Sequence, residues 1–596
     1  MGTSPSSQRV SVLTEVAGVP KAFDYEVPLG FNGPLEVGSR LRVPLHGRSV
    51  RAWVVDNAST LELDEVKTVA ASLGFGPPPA VVDLCTWSAW RWASLPARFL
   101  AAASPQRLVR SLPTRPTPSA IAVSESPVAA WGEGVERTSG TSVLTLGPAS
   151  DPFDAVAAAY ETLRQLGALT TGSLVVVVPG VDYAARLTAR LGRAGVPAVD
   201  LGEGWDAARA GWPVVVGTRM AAFAPVPDLA GAMVLDGEDE RLRSEAAPTW
   251  HVLDVLAERA RREGAPLGVT TVCPPAWLSR DGASATLSHN ALVAGWPTIA
   301  VADRHASDPR TGWLSEELVA LGRQALEDQP EGIALACIVN RKGRAKLLAC
   351  KRCDAIATCA ACDAACSLGE TLRCSRCGQE RPVICASCGA TAMKLLRPGT
   401  AQLAVELGRL FGVPVAELTA DSDPASLDGA RAVVGTEAVL HRLRRAQLVA
   451  FLDLDHHLLA PRIGVELVTL GLIGRAGRLV GGRGHARSGA VLLQTRLVDH
   501  PVIEAAVEGD PTPVADADAV LRQQLGLPPF CAAALLRGAG AATYGEALDA
   551  AGLDVRPLAE ERVAVLVPSH AVLCDTLAAT PRPKERVVVG VDDESF

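Results

Sequence analysis

The sequence predicts a multidomain α/β protein. It has a β-rich N-terminal unit, two parallel-sheet units with a cysteine module inserted in the second, and a small α+β unit at the C-terminal end. Three observations carry this expectation. Short, wholly apolar stretches such as Leu174–Val178 alternate with amphipathic segments, the pattern of a parallel sheet covered on both faces. Four Cys-x-x-Cys pairs fall between Cys350 and Cys388. The chain has 596 residues, 48% of them hydrophobic, which at ~150 residues per domain suggests about four domains with buried cores.

Taken in order, residues 1–104 open with alternating strands in RVSVLTEV, AFDYEVP, SRLRVPL and VRAWVV, separated by turn residues including Gly18, Gly30, Gly38 and Gly47. A Trp- and Ala-rich helical stretch, VVDLCTWSAWRWASLPARFLAAA, closes this unit. Residues 105–140 are rich in Pro, Ser and Thr and read as a linker. Strand–helix alternation then fills 141–325 (SVLTL, DAVAAAYETLRQL, SLVVVVPG, YAARLTARLGRAG, PVVVGTR, GAMVLDGEDE, PLGVTTV). A second series, with GIALACIVN, AQLAVELGRLFG, ARAVVGTEA, QLVAFLDLD and GAVLLQT, occupies 326–349 and 390–512, interrupted by the cysteine module at 350–389. Residues 513–596 form the last unit.

A net charge of −8 excludes a uniformly basic nucleic-acid coat but leaves room for a local phosphate-facing patch. The N-terminal residues MGTSPSSQRVSVL lack the basic region and apolar core of a secretory signal, and no apolar run reaches membrane-spanning length. A cytoplasmic location is therefore expected, and in a reducing compartment paired cysteines argue for metal rather than disulfides.

The pairs are Cys350/Cys353, Cys359/Cys362, Cys374/Cys377 and Cys385/Cys388. Two intervening residues let both thiolates reach one ion from a tight turn, and two such turns complete a closed tetrahedral zinc site. Eight thiolates make two structural sites with no position left for water. An iron–sulfur cluster is the rival occupant, and spacing leaves open whether adjacent or nested pairs share an ion. Cys366, Cys85, Cys273, Cys337, Cys531 and Cys574 read as ordinary core residues. Arg341, Lys342, Arg344, Lys346, Lys351 and Arg352 flank the first pair in a chain that has no lysine between Lys67 and Lys342. We read them as facing phosphate, with Lys342 and Lys346 as candidate DNA contacts.

The stretch NRKGRAKLLACKRCDAIATCAACDAACSLGETLRCSRCGQERPVICASCGA resembles the PriA (primosomal protein N′) family of bacterial replication-restart proteins. The resemblance continues in LRPGTAQLAVELGRLFGVPVAELTADSD, VVGTEAVL, FLDLD, GLIGRAGR and GAVLLQT, and at the N-terminus in VPKAFDYEVP, GSRLRVPLHGR and ELDEVKTVA. It implies that the two parallel-sheet units are RecA-like helicase lobes. It also implies nested zinc sites, with Cys350, Cys353, Cys385 and Cys388 holding one ion and Cys359, Cys362, Cys374 and Cys377 the other. In that family the N-terminal unit captures the 3′ end of a leading strand. Phe23, Asp24 and Tyr25 match the pocket motif, Lys67 a basic residue lining it, and Gly47 a nearby loop position. The implied partners are forked or branched DNA with a 3′ end, primosome proteins, the replicative helicase and single-stranded-DNA-binding protein, in the nucleoid.

The helicase motifs depart from the family. A phosphate-binding loop G-x-x-x-x-G-K-[ST] needs backbone amides for phosphate, a Lys for the terminal phosphates and a hydroxyl for Mg²⁺. The matching stretch here is LGPASDPFDAV, in which Gly147 remains, no Lys is present, and Asp151 and Asp154 bring negative charge. VLDGED stands where the family has D-E-x-H: Asp236 persists, Gly237 takes the place of the water-activating Glu, and Glu238 and Asp239 follow. GLIGRAGR keeps Arg475 and Arg478 but has Gly471 in place of its leading Gln. Gly217, Thr218 and Arg219 form a GTR turn of the kind that touches nucleic-acid backbone in helicases. The family's winged-helix domain does not fit within residues 105–140.

The expected protein is therefore a replication-restart factor that recognises stalled or abandoned forks and helps reload the replicative helicase, without helicase activity and without ATP or Mg²⁺ as cofactors. The alternatives are an active 3′-to-5′ helicase with an unconventional nucleotide site and a zinc-dependent RNA- or protein-binding adaptor.

Overall fold

In the N-terminal unit strict alternation puts every second side chain on one face. Val10, Val12, Tyr25, Leu41, Val43, Ala52, Val54 and Val69 meet there in a small core. The computed structural model describes residues 8–16, 21–57, 66–135, 140–244, 246–276, 278, 282–305, 313–339, 348–361, 365–374, 378–395, 400–419, 422–460, 462–484, 488–559 and 561–593. The first sheet has six strands in the order Lys67–Thr68, Ala22–Glu26, Arg9–Thr14, Arg48–Asp56, Arg40–Leu45 and Ala71–Ser72. His46 and Gly47, with φ of 47° and 78°, make the two-residue loop between Arg40–Leu45 and Arg48–Asp56, the primed turn that matches strand twist. The helices Pro79–Arg91 and Pro96–Ala103 each begin on a proline, where a missing N–H costs nothing.

The segment read as a linker is fastened to the first lobe rather than loosely tethered. Arg115 donates to the carbonyls of Leu169 and Gly172 at 2.6 and 2.8 Å, and Tyr160 Oη donates to Ser119 O at 2.8 Å. Among the described residues, 105–126 contain neither helix nor strand, and the helix Pro127–Gly134 follows.

The first lobe is a seven-stranded sheet in the order Gly282–Thr286, Thr141–Thr145, Leu267–Thr271, Leu229–Val234, Ser173–Val177, Val214–Gly217 and Ala198–Asp200, with all neighbours parallel. Ser173–Val177 and Leu267–Thr271 are buried along their whole length, as strands covered on both faces must be.

The second lobe is a six-stranded parallel sheet in the order Thr298–Asp303, Ala490–Thr495, Leu448–Phe451, Leu335–Ile338, Ala432–Gly435 and Val415–Leu418. Its first strand precedes the division expected at 325/326. Thr298–Asp303 lies at the sheet edge, half-exposed along most of its length, so it lacks the unbroken apolar signature of its neighbours.

The cysteine module contributes two small antiparallel sheets, one pairing Leu348–Cys350 with Met393–Leu395 and the other joining Cys366–Leu368, Leu372–Cys374 and Glu380–Arg381. The C-terminal unit is a four-stranded antiparallel sheet, in the order Asp554–Ala559, Arg562–Val567, Ala532–Arg537, Val588–Val591, with helices Ala541–Ala550 and His570–Ala579. Its inner face, the N-terminal helices and one face of the first lobe share a single buried cluster that includes Leu84, Phe99, Phe223, Val255, Leu536 and Val565. No helix among the described residues is long and apolar enough to cross a membrane.

Candidate metal centre and interlobe cleft

Antiparallel pairing of Leu348–Cys350 with Met393–Leu395 places Cys350 opposite Met393. The turn leaving the first strand and the turn entering the second therefore lie against each other. The first carries Cys353, the second Cys385 and Cys388. All four Sγ atoms lie within 4.8 Å of one another, with Cys350–Cys388 at 3.6 Å and Cys353–Cys385 at 3.5 Å. Tetrahedral coordination with Zn–S bonds of about 2.3 Å separates sulfurs by about 3.8 Å, so these four residues could hold a metal ion, and the donor set suits zinc. The amides of Cys353 and Arg352, turned onto Cys350 Sγ, lower its thiol pKa and favour the thiolate. Gly389, at φ 73°, closes the second turn, its N–H donating to Cys385 O at 2.9 Å. Only a residue free to adopt the left-handed region turns so tightly without strain.

Nesting of the outer pairs, which spacing left open, is thus the arrangement of these four cysteines. Of the inner set, Cys359 and Cys374 are buried with Cys366 in one small cluster, and Cys366 is opposite Cys374 in register. Cys362 and Cys377 lie outside the described residues, as do Lys342 and Lys346.

The module is anchored to the second lobe by Asp354, the residue after Cys353. Its carboxylate accepts from Lys394 at 2.7 Å and from Arg496 at 2.8 Å, and Arg496 also reaches Asp455 at 3.5 Å. Neither Asp354 nor Arg496 carried a signal in the sequence, because 142 positions separate them. Lys351, Arg352 and Arg373 are exposed on the module surface, whereas Lys394 is engaged by Asp354.

Between the lobes lies a cleft of about 1660 Å³ whose walls include Pro148 to Phe153, Asp236, Glu238, Asp239, Arg475 and Arg478. In a nucleotide-binding loop the amides at this point cradle phosphate, and the following helix N-terminus favours the anion. Here those amides are engaged within the protein. Ala149 N–H donates to Gly295 O at 2.9 Å and Ser150 N–H to Gly147 O at 2.9 Å. Phe153 N–H donates to Asp151 Oδ1 at 3.0 Å, so the helix Phe153–Gln165 receives its anion from its own chain. Asp151 pairs in turn with Arg190 at 2.5 Å, whose guanidinium lies 3.8 Å from the Phe153 ring centroid. Gly147 itself packs on Gly295: a Cβ there would fall 2.7 Å from both Gly295 Cα and Leu292 O.

Across the cleft, Arg478 pairs with Asp236 and donates to Pro148 O at 3.2 Å, while Arg475 pairs with Asp239 and lies 3.7 Å from Asp236. Arg241 adds a bidentate contact to Asp239 at 3.0 and 3.1 Å. Burial works against charge on Asp239, yet Arg475 and Arg241 hold its pKa below the usual carboxylate range. Glu238 accepts from Thr271 Oγ1 at 2.8 Å and Val272 N–H at 3.3 Å. Burial and the neighbouring charge of Asp236 push its pKa up to about 7. Asp236 is fully buried at φ 60°, a strained position that its arginine partners retain. The sequence-selected residues Asp151, Asp236, Glu238, Arg475 and Arg478 thus converge on one cleft, and Gly147 packs against Gly295 next to its wall. Asp239, already picked out in VLDGED, joins them with Arg241 and Arg190, whose contacts leave no trace in the sequence pattern.

On the N-terminal sheet, Phe23 and Tyr25 share the core face of Ala22–Glu26. Tyr25 is 2% exposed, and its hydroxyl donates to Pro44 O at 2.9 Å across the curl of the sheet. It therefore offers no ring face to a base, whereas the half-buried Phe23 has Lys21 Nζ 5.2 Å from its ring centroid. Asp24 lies on the opposite face with Ser11 donating to it. Exposed Lys67 is in register with Tyr25 on the adjoining strand. Gly47 stands at the turn two residues beyond Leu45, near the Pro44 end of the curl. Arg219 opens the short helix after Val214–Gly217 and donates to Arg243 O at 3.3 Å, well apart from the N-terminal set in the chain.

Comparison with known proteins agrees with this architecture. Residues 11–105 match the model of the PriA 3′ DNA-binding domain. A probable replication restart protein PriA of Mycobacterium tuberculosis is 28% identical, over 91% of this chain and 88% of its own length. The replication restart protein PriA of Haemophilus influenzae is 28% identical over 56% of this chain and 48% of its own, and that of Bacillus subtilis 26% identical over 54% and 43%. With an N-terminal unit matching that domain, two parallel-sheet lobes and similarity along most of its length, this chain is similar to replication restart protein PriA.

Proposed function

We propose that this protein acts in replication restart as a fork-recognition scaffold. It binds branched DNA through its N-terminal unit and cysteine module, reads a 3′ end, and presents primosome proteins and the replicative helicase with a fixed platform, without turning over ATP. Two zinc ions hold the module, the second through Cys359, Cys362, Cys374 and Cys377. The observation that carries the non-hydrolysing part is the loop from Leu146 to Phe153, whose amides bond to Gly295 O, Gly147 O and Asp151 rather than facing an open anion site. Loss of both the Lys and the Glu of the catalytic motifs removes charge stabilisation and water activation together. Phe23 and Asp24 on one strand, Lys67 on the adjoining strand and the Gly47 turn of the same sheet support the 3′-end reading, with Tyr25 acting as the core anchor of that strand.

Purified protein assayed with forked DNA tests this. The expected result is no DNA-stimulated ATP hydrolysis and tighter binding to a fork bearing a free leading-strand 3′ hydroxyl than to the same fork with that end blocked. Turnover faster than about one per second, well inside the range of working enzymes, would favour the active-helicase reading. Equal affinity for the two forks would favour the adaptor reading.

A further inference from the structure

We infer that Arg475 and Arg478 latch the two lobes together permanently, so that side-chain charge holds in one fixed arrangement a pair of lobes that hinged enzymes move around a ligand. The inference rests on the reading of the cleft as non-hydrolysing and goes beyond it, since a dead nucleotide site could equally leave the lobes free to swing.

Three independent features converge. The first is charge. Arg478 reaches Asp236, Arg475 reaches Asp239, and Arg462 reaches Glu240, each pair crossing from the second lobe to the first. Asp236 and Asp239 are 0% and 5% exposed at the side chain and Arg475 is 11% exposed, so these pairs are little screened by salt, and opening would strip Asp236 of both its arginines, while Asp239 would keep Arg241 of its own lobe. The second is close packing. The helix Val465–Val480 turns glycines toward the first lobe: a Cβ on Gly474 would lie 2.8 Å from Val272 Cγ1, and one on Gly477 3.2 Å from Pro148 Cβ. The third is continuity of the core. Leu146, Val178, Leu235 and Val272 of the first lobe belong to the same buried cluster as Ile338, Phe451, Ile473 and Ala476 of the second.

The test uses the full chain carrying a bioorthogonal donor–acceptor pair at Leu166 in the first lobe and Val405 in the second, both exposed, which leaves every cysteine intact. Single-molecule energy transfer is expected to give one population, unchanged by saturating ATP–Mg²⁺ or its non-hydrolysable analogue. In the R475A/R478A variant a second, lower-transfer population is expected to exceed a tenth of molecules. Should that variant fail to fold, Asp239→Asn, which preserves shape and removes one charge, is expected to show the same second population at a lower level. Two interconverting populations in the wild type, a nucleotide-induced shift, or a single wild-type-like population in the folded variants would each overturn the latch. The ATPase assay is read separately, so immobile lobes with turnover would sink the scaffold reading alone, and mobile lobes without turnover would sink the latch alone.

Discussion

At the scale of the residue, Glu238 is the most informative titrating group. Its pKa is pushed up to about 7 by burial and by the charge of Asp236, against an ordinary value of 4.5. A raised carboxyl pKa means that the folded chain keeps a proton which the unfolded chain releases. Its contribution to stability is therefore full below about pH 4.5 and is lost as pH rises through 7. Both hydrogen bonds, from Thr271 Oγ1 and Val272 N–H, end on the same oxygen, so a glutamine can accept both. The Glu238→Gln variant is expected to melt with the wild type near pH 4.5 and to gain about 1 kcal/mol at alkaline pH, allowing for solvent at a half-buried site. Thermal melts across that range check this, and parallel profiles at every pH would refute the assignment. Asp239 behaves oppositely. Held below the usual range, it contributes above its unfolded value of 3.8 and loses that contribution as pH falls.

At the scale of the element, the outer cysteine turns are where metal binding would bear on the fold. The strand pair Leu348–Cys350 and Met393–Leu395 is only three residues long on each side, too short to persist without support. Replacing Cys385 by serine removes one of the four sulfurs and should break the site. The expected outcome is loss of one zinc per chain by elemental analysis and rapid proteolysis within 348–395, with the lobes still folded. Unchanged metal content would remove Cys385 from the ligand set. This part of the molecule was legible in the sequence because Cys-x-x-Cys constrains local geometry. Spacing alone did not say which turns come together, since any two turns can complete a tetrahedron; the resemblance implied the nested set, and the strand register brings Cys350 beside Cys388. The parallel sheets were legible for a similar reason: burial on both faces leaves Leu174–Val178 no polar position. The edge strand Thr298–Asp303 escaped because one side of it meets solvent. The alternation of Ala22–Glu26 was visible, but whether its aromatic face lines a pocket or a core depends on the curl that carries Tyr25 to Pro44. The arginine–aspartate pairs of the cleft escaped as well, for residues separated by 236 and 242 positions leave no local trace.

At the scale of the whole molecule, one aspartate ties the C-terminal sheet to two other units by hydrogen bonds, beside the apolar cluster they share. Asp592 accepts from Arg91 of the N-terminal helix at 2.5 Å and from His570 at 2.9 Å, and its carbonyl accepts from Arg243 of the first lobe at 2.6 Å. Arg91 is 6% exposed at its side chain. Burial disfavours charge on Asp592, but Arg91 and His570 prevail and hold its pKa below the ordinary carboxylate range. The contribution is present above the unfolded value of 3.8 and is lost as pH falls below it. Asp592→Asn keeps the shape and removes the carboxylate hydrogen-bonded to the buried Arg91 guanidinium, leaving it only the more distant charge of Asp254, a defect that costs about 3 kcal/mol. Because the shared cluster of Leu84, Phe223 and Leu536 spans three units, the damage should appear as undocking and not as local fraying. Hydrogen exchange is expected to accelerate together in Ala532–Arg537, Val588–Val591 and Pro79–Arg91, while Ser173–Val177 and the outer cysteine turns keep wild-type protection. Acceleration confined to the C-terminal sheet would mean that the apolar cluster alone holds the units together and that Asp592 merely decorates the joint. The fixed platform proposed above needs the coupled response, since the N-terminal sheet and the first lobe keep their mutual position through this same cluster.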